Sequence, residues 1–204
     1  MKIYFARHGE SEANLLHEFS NRGIKHGLTD NGRAQAAELA AKLASEPIRR
    51  IYSSPLLRAT QTAGTLAEAL GLEVEVTDAL REYDCGVLEG RSDEDGWKTY
   101  YRVLEAWIER REWDERIEAG ESFNDIRARF VPFIEGLTRE YKNDPGKIVL
   151  VGHGGTYRCM LPLVLPNIGF DFAMQNTISN TGCVVAELTP RGLRCVEWCG
   201  EPVA

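Results

Sequence analysis

No apolar run in this 204-residue chain approaches the roughly 20 residues a membrane helix needs, and no basic segment leading into an apolar stretch opens it. Neither a membrane span nor a secretory leader is expected, and the reading is a cytoplasmic protein. Cysteine is scarce: five residues, an odd number without a C-x-x-C pair, indicate neither a disulfide framework nor a zinc site. Cys195 and Cys199 fall in a strand-like run where four residues span about 13 Å, too far for a disulfide, so reduced thiols are expected. Positive charge is also short. With 24 Lys and Arg against 31 Asp and Glu, the net charge of -7 disfavours nucleic acid or an anionic membrane as partner, while a local basic pocket for a small anion stays open. The chain has no G-x-x-x-x-G-K-[ST] loop, HExxH motif or close His-x-His spacing, so no nucleotide loop, metal or other cofactor is implied. Internal repeats, low-complexity tracts and linkers are missing too.

What is present suits one globular unit, because 43% apolar content over this length can bury a proper core. The short runs Ile3 to Phe5, Ile48 to Tyr52 and Ile148 to Val151, rich in branched and aromatic residues, read as buried strands. Helical spacing marks Gly32 to Ala44, Leu56 to Leu70 and Ser122 to Tyr141, and strands alternating with helices predict an α/β fold with a mainly parallel sheet covered on both faces. Ser54 and Pro55 read as N-cap and first residue of one helix that Gly71 closes, and Ser122 with Asp125 forms a loose capping box for another. "GCVVAEL" and "LRCVEW", joined by Thr189 to Gly192, predict a terminal hairpin. Between Trp97 and Trp113 an amphipathic helix with an aromatic stripe interrupts the alternation; it serves packing or forms a lid over a pocket.

Ligands of open parallel sheets bind beyond the carboxyl ends of the strands. His8 in "RHGE" and His153 in "VGHGG" both fall there, each followed by a glycine that lets backbone approach a ligand closely. Arg58 follows the second strand near a helix N-terminus, so Arg7, His8, Arg58 and His153 are placed to converge on one tetrahedral anion. That set suits phosphoryl transfer without a metal: a neutral imidazole attacks phosphorus while guanidinium groups hold the phosphate oxygens. The leaving oxygen needs a proton. Glu82 is the candidate acid, with Asp84 and Glu89 as rivals that the spacing alone does not separate.

These residues sit in "RHGESEAN", "LTDNGRAQA", "SSPLLRATQTA", "REYDCGVLEG", "GES" and "VGHGG", a series that resembles the histidine phosphatase superfamily, in family order across most of the chain. The resemblance implies a three-layer α/β/α sandwich forming a single domain over 1–204, with a helical lid-like insertion at about 92–119. It implies that His8 becomes a phosphohistidine, that Arg7, Arg58 and His153 complete the phosphate pocket, and that Glu82 is the proton donor. Asn14, the Ser20 to Asn21 loop and the backbone of Gly154 match positions that contact substrate in relatives. His17 and His26 match no catalytic motif and read as exposed loop residues, and Cys85 reads as a packed thiol beside the site.

Phosphatases and mutases of this family share the core residues. The chain lacks the longer insertion and tail that resemblance associates with phosphoglycerate mutases, which favours a phosphomonoesterase acting on a small phosphorylated metabolite. Arg110 and Arg111 resemble the paired arginines with which mutases grip a carboxylate, which keeps a bisphosphoglycerate-dependent mutase as the alternative. A non-catalytic phospholigand-binding module ranks lower, since nucleophile, arginines and acid are all present. A monomer or homodimer is expected, the terminal hairpin offering a pairing edge.

Overall fold

The computed structural model describes residues 1–203. Its elements are β1 (Lys2–Arg7), α1 (Glu12–Leu16), α2 (Asp30–Leu43), β2 (Ile48–Ser53), α3 (Leu57–Leu70), β3 (Val74–Val76), α4 (Glu94–Ile108), α5 (Phe123–Glu140), β4 (Lys147–Gly152), α6 (Gly154–Val164), α7 (Phe170–Gln175), β5 (Cys183–Thr189), β6 (Gly192–Trp198) and β7 (Glu201–Pro202). The strands form one seven-stranded sheet in the order β3-β2-β4-β1-β5-β6-β7. β1 to β4 are parallel to one another, and β5 to β7 extend the sheet antiparallel from β1.

Side-chain alternation along the strands divides the core into two layers. Ile3, Phe5, Ile148 and Leu150 point to the face covered by α4, α5, α6 and α7, where Phe130, Trp107 and Tyr157 are buried. Tyr4, Ala6, Val149 and Val151 point to the opposite face, against Leu39 and Leu43 of α2 and Leu66 of α3. The architecture is therefore the α/β/α sandwich with a mostly parallel sheet, and the apolar runs read from the sequence are its central strands.

Local signals explain most boundaries. Ser122 and Asp125 form the capping box of α5, and Gly71 closes α3 at φ 65°, a left-handed conformation that glycine adopts without a Cβ penalty. The start of α3 departs from expectation. Its helical bonding begins at Leu57 with Leu56 as N-cap, because Ser54 Oγ accepts the Leu56 N–H and is turned toward His153. The helix expected over Trp97 to Trp113 is α4, displaced toward the N-terminus: Asp93 caps it by accepting Gly96 N–H at 3.0 Å, and Glu94 and Asp95 suit the positive end of its dipole. Past Ile108 the chain leaves the helix, Arg111 adopting φ 60°. Trp107 is buried and donates to Glu115 O, anchoring the C-terminal half of α4, while Trp97 stacks on Phe19 with centroids 4.2 Å apart. His26 corrects the expectation of an exposed loop residue: it is buried, with Nε2 3.0 Å from Glu18 Oε1, whereas His17 is exposed.

Candidate active site

β2, β4 and β1 are neighbours, so their carboxyl ends bring Ser54, His153 and His8 to one edge of the sheet. The pairing of Arg7 with Gly152 sets the two histidines side by side, ring centroids 5.0 Å apart. His8 donates its Nδ1–H to Gly9 O at 2.7 Å, which leaves Nε2 carrying the lone pair; Nε2 accepts from Arg58 Nε at 3.1 Å. Burial, then the charges of Arg58 and Arg7, hold the His8 pKa well below 6.5, so the imidazole is neutral and nucleophilic at physiological pH. His153 is held neutral by burial and by Arg58 in the same way. Its Nε2 lies 2.7 Å from Ser54 Oγ, and its Nδ1 is the one fully buried side-chain nitrogen or oxygen among the described residues without a partner.

Arg58 is 6% exposed and is fixed by two carbonyl-type acceptors, Nη1 on Ser20 O at 2.7 Å and Nη2 on Asn21 Oδ1 at 3.4 Å. Burial lowers its pKa to about 10, with Glu82 opposing that shift, so it stays cationic at neutral pH. Arg7 donates to Ile178 O at 2.8 Å. Ser20 and Asn21 thus position Arg58 from the expected loop, and Asn21 is itself tied to Tyr83 O at 2.9 Å. Asn14 turns Oδ1 toward Ser11 N–H and Asn180 Nδ2, leaving its own Nδ2 as a donor on the cavity wall.

Glu82 occupies the N-terminus of α6. Its Oε2 accepts from Gly155 N at 2.9 Å, and its Oε1 accepts from Thr156 N at 2.6 Å and from Tyr83 N at 3.2 Å. Gly155 is glycine for a reason of space, since a Cβ there would stand 2.8 Å from both carboxylate oxygens. Thr156 Oγ1 lies 2.8 Å from Glu82 Oε1 and 2.9 Å from Arg81 O. That hydroxyl donates to the carboxylate, or accepts from the carboxylic acid while donating to Arg81 O, so both protonation states find a partner. The rivals are engaged elsewhere: Asp84 accepts from Gly86 N and Arg22, and Glu89 from the backbone of Asn21 and Arg22.

Arg7, His8, Asn14, Ser20, Asn21, Arg58, Glu82 and Gly154 all line one cavity of about 360 Å³, its far wall formed by Phe19, Tyr83, Trp97, Tyr100 and Tyr101. His153 stands directly behind His8. Arg110 and Arg111 are not brought to the cavity. Arg110 pairs with Glu105 and Glu112, and Arg111 lies over the rings of Trp113 and Phe170, because the chain turns away once α4 ends. The paired-arginine expectation is therefore corrected. Sequence reading missed the site roles of Ser54, Thr156, Arg158 and Asn180; Ser54 stands inside "SSPLLRATQTA" and Thr156 and Arg158 just past "VGHGG", while Asn180 lies beside no quoted motif. Cys85 is fully buried and its thiol pKa is raised by burial, in keeping with a packing role. Among the described residues no helix is long and apolar enough to cross a membrane, and no cluster of His, Cys, Asp or Glu is arranged to hold a metal ion.

The family model of the histidine phosphatase superfamily (branch 1) matches residues 3–200, and the chain belongs to that superfamily. Its relatives include a protein named Phosphoserine phosphatase 1 from Hydrogenobacter thermophilus, 32% identical over 160 residues that cover 78% of this chain and 74% of that one. Another, from Photorhabdus laumondii and named "Probable phosphoglycerate mutase GpmB", is 31% identical over 173 residues, covering 81% and 75% of the two chains. The solved structure of a mycobacterial glucosyl-3-phosphoglycerate phosphatase in complex with VO3 is similar at TM-score 0.82 and 26% identity, over 97% of this chain and 98% of that one.

Proposed function

We propose that the protein hydrolyses a small phosphorylated metabolite through a phosphohistidine on His8, without a metal. The observation that carries this reading is the His8 ring: neutral, its Nδ1–H spent on Gly9 O, its Nε2 lone pair on Arg58 Nε, with Arg7 lining the same cavity. On binding, the phosphoryl group displaces the Arg58 Nε contact, and Arg7, Arg58, Asn14 and the Gly154 N–H hold its oxygens with His153 behind. Nε2 attacks phosphorus and the P–O ester bond breaks as Glu82 gives a proton to the leaving oxygen. The phosphoimidazolium keeps its Nδ1–H on Gly9 O. Glu82 then takes a proton from water, whose oxygen attacks phosphorus; the P–N bond breaks and inorganic phosphate leaves.

Hydrolysis is preferred over a mutase because the arginine pair that would grip a carboxylate lies outside the cavity. The N-terminal half of α4 acts as a wall or lid, and its aromatic rings favour a substrate with ring or apolar surface. Five unpaired cysteines and the negative net charge fit a cytoplasmic enzyme that works as a monomer or homodimer apart from nucleic acid and membranes. The test is a metal-free assay on a panel of phosphorylated metabolites, following free phosphate and 2-phosphoglycerate. Phosphate release that disappears in His8→Ala, and that falls on the order of 10²- to 10⁴-fold in Glu82→Gln, is the expected result. Bisphosphoglycerate-dependent interconversion of phosphoglycerates with little free phosphate would replace this reading by the mutase.

A further inference from the structure

Five charged side chains line the cavity, Arg7, Arg58 and Arg158 against Glu18 and Glu82, and the two carboxylates do different work. Glu82 is the one whose charge acts on all three guanidiniums, and it is bound at the start of α6. Glu18 belongs to the loop that holds Arg58. Lys25 donates to its Oε1 and His26 Nε2 lies 3.0 Å from the same oxygen, while Oε2 makes no hydrogen bond to any described residue. Those two contacts hold its pKa below the usual carboxylate value, so the group is an anion with one oxygen to spare. The same loop gathers aromatic rings. Phe19, the next residue, stacks on Trp97, and Trp97 Nε1–H donates to the carbonyl of His17, the residue before, at 3.1 Å. Tyr100 stands nearly at right angles to Trp97 and to Tyr101, at 72° and 80°, and Tyr101 keeps 59% of its surface exposed. All four rings line the cavity with Glu18.

We propose that Glu18 Oε2, with the ring faces of Trp97 and Tyr101, binds an ammonium group on the substrate. Resting on the phosphatase reading above, this narrows the substrate class to phosphomonoesters of small amino alcohols, protonated or quaternary at nitrogen. The face of an aromatic ring attracts a cation, and an ionised carboxylate only accepts hydrogen bonds, so the two together suit a positive group better than a neutral one or an anion. The reach is short. Glu18 stands two residues before Ser20, whose carbonyl holds Arg58, so at most about 7 Å of backbone separates the ammonium end from the phosphoryl end. The Lys25 ammonium is largely exposed, where water screens its charge, and it offsets the pull of Glu18 on a cation in the cavity only in part.

The test compares wild type, Glu18→Gln and Glu18→Asp on phosphocholine, on its neutral carbon analogue 3,3-dimethylbutyl phosphate, and on glucose 6-phosphate, which offers hydroxyls but no cation. Wild type is expected to favour phosphocholine over the neutral analogue by about 10-fold or more in kcat/KM. Glu18→Gln should lower kcat/KM for phosphocholine by about 10- to 100-fold, mainly through KM, and for the other two by less than about threefold. Glu18→Asp keeps the charge and should recover part of the loss. Equal losses on all three would mean that Glu18 only ties its loop to Lys25 and His26, and would overturn the proposal. A wild type indifferent to the cation, or no loss on phosphocholine, would do the same. So would a loss on glucose 6-phosphate as large as on phosphocholine, which would assign Glu18 to a sugar hydroxyl. If the wild type hydrolyses none of the three, the phosphatase reading fails by itself, and calorimetry decides this one. Weaker binding of phosphocholine but not of inorganic phosphate by Glu18→Gln sustains the ammonium subsite, and any other pattern removes it.

Discussion

The Asn14 amide shows how a single residue of the cavity is aimed from outside it. Backbone Ser11 N–H can only donate, and it meets Asn14 at 3.1 Å, so the facing atom is Oδ1 and Nδ2 is left for the cavity. Asn180 secures this orientation with one nitrogen, its Nδ2 donating to Asn14 Oδ1 at 3.3 Å and to His8 O at 3.1 Å. A loop between α7 and β5 thus reaches both the nucleophile's own carbonyl and the residue aimed at the phosphoryl group. Asn180→Ala removes the donor, and a loss of roughly 5- to 10-fold in kcat/KM is expected from one net hydrogen bond. Asn180→Asp should be worse than alanine, because it turns an acceptor toward two oxygens and adds negative charge beside an anion site. Steady-state kinetics with a melting curve for each variant give the order; alanine and aspartate equally active would show that Asn180 positions nothing.

At the scale of elements, the loop behind His8 is pressed against the first turn of α2 by two facing glycines. A Cβ on Gly9 would stand 2.5 Å from Gly32 O, and one on Gly32 would overlap Glu10 O. Thr29 caps the same turn, accepting Gly32 N–H at 2.9 Å while its hydroxyl donates to Glu10 Oε1 at 2.7 Å. Gly32→Ala, which would raise helix propensity in an exposed helix, is expected here to destabilise by about 1–3 kcal/mol and to lower activity by shifting the Gly9 carbonyl that holds His8. Urea melts beside assays read both effects; an alanine variant as stable and active as wild type would contradict the packing. This contact also shows where the sequence stops being legible. The strands before His8 and His153 could be read because branched apolar runs follow from burial alone, and register then made the histidines neighbours. Ser54 looked like a helix cap because cap and imidazole partner use the same hydroxyl, and only the tertiary partner decides between them. Arg158 sits inside a helix, where arginine is an ordinary surface residue, and Asn180 in a loop whose path no local pattern fixes. Arg110 and Arg111 formed a visible pair, but the break after Ile108 gave each a neighbour of its own.

For the molecule as a whole, the arrangement that keeps two imidazoles neutral ties folding to pH. His8 and His153 are buried, and desolvation with the nearby arginines holds both pKa values well below the 6.5 of a free side chain. In the unfolded chain each histidine takes up a proton as pH falls through about 6.5; in the folded chain it does so only at lower pH. The unfolded state therefore binds more protons in that window, and stability present above pH 6.5 is lost as pH falls below it, by up to about 1.4 kcal/mol per pH unit for each histidine. The carboxylates whose pKa values are lowered, among them Glu18 and Asp125, start from 4.5 and 3.8 and respond at more acidic pH, so the interval between pH 6.5 and 5 belongs to the histidines. Unfolding free energies of wild type, His8→Asn and His153→Asn from urea melts at several pH values between 7.5 and 5 should show the wild type losing stability with acid and each variant losing it less steeply. Catalysis shares the same origin: the acid limb of kcat/KM should lie below pH 6.5, because His8 keeps its lone pair until its depressed pKa is reached. Parallel stability slopes in all three proteins would mean that the histidines are not the groups protonated on unfolding, and the neutral nucleophile on which the chemistry rests would lose its support.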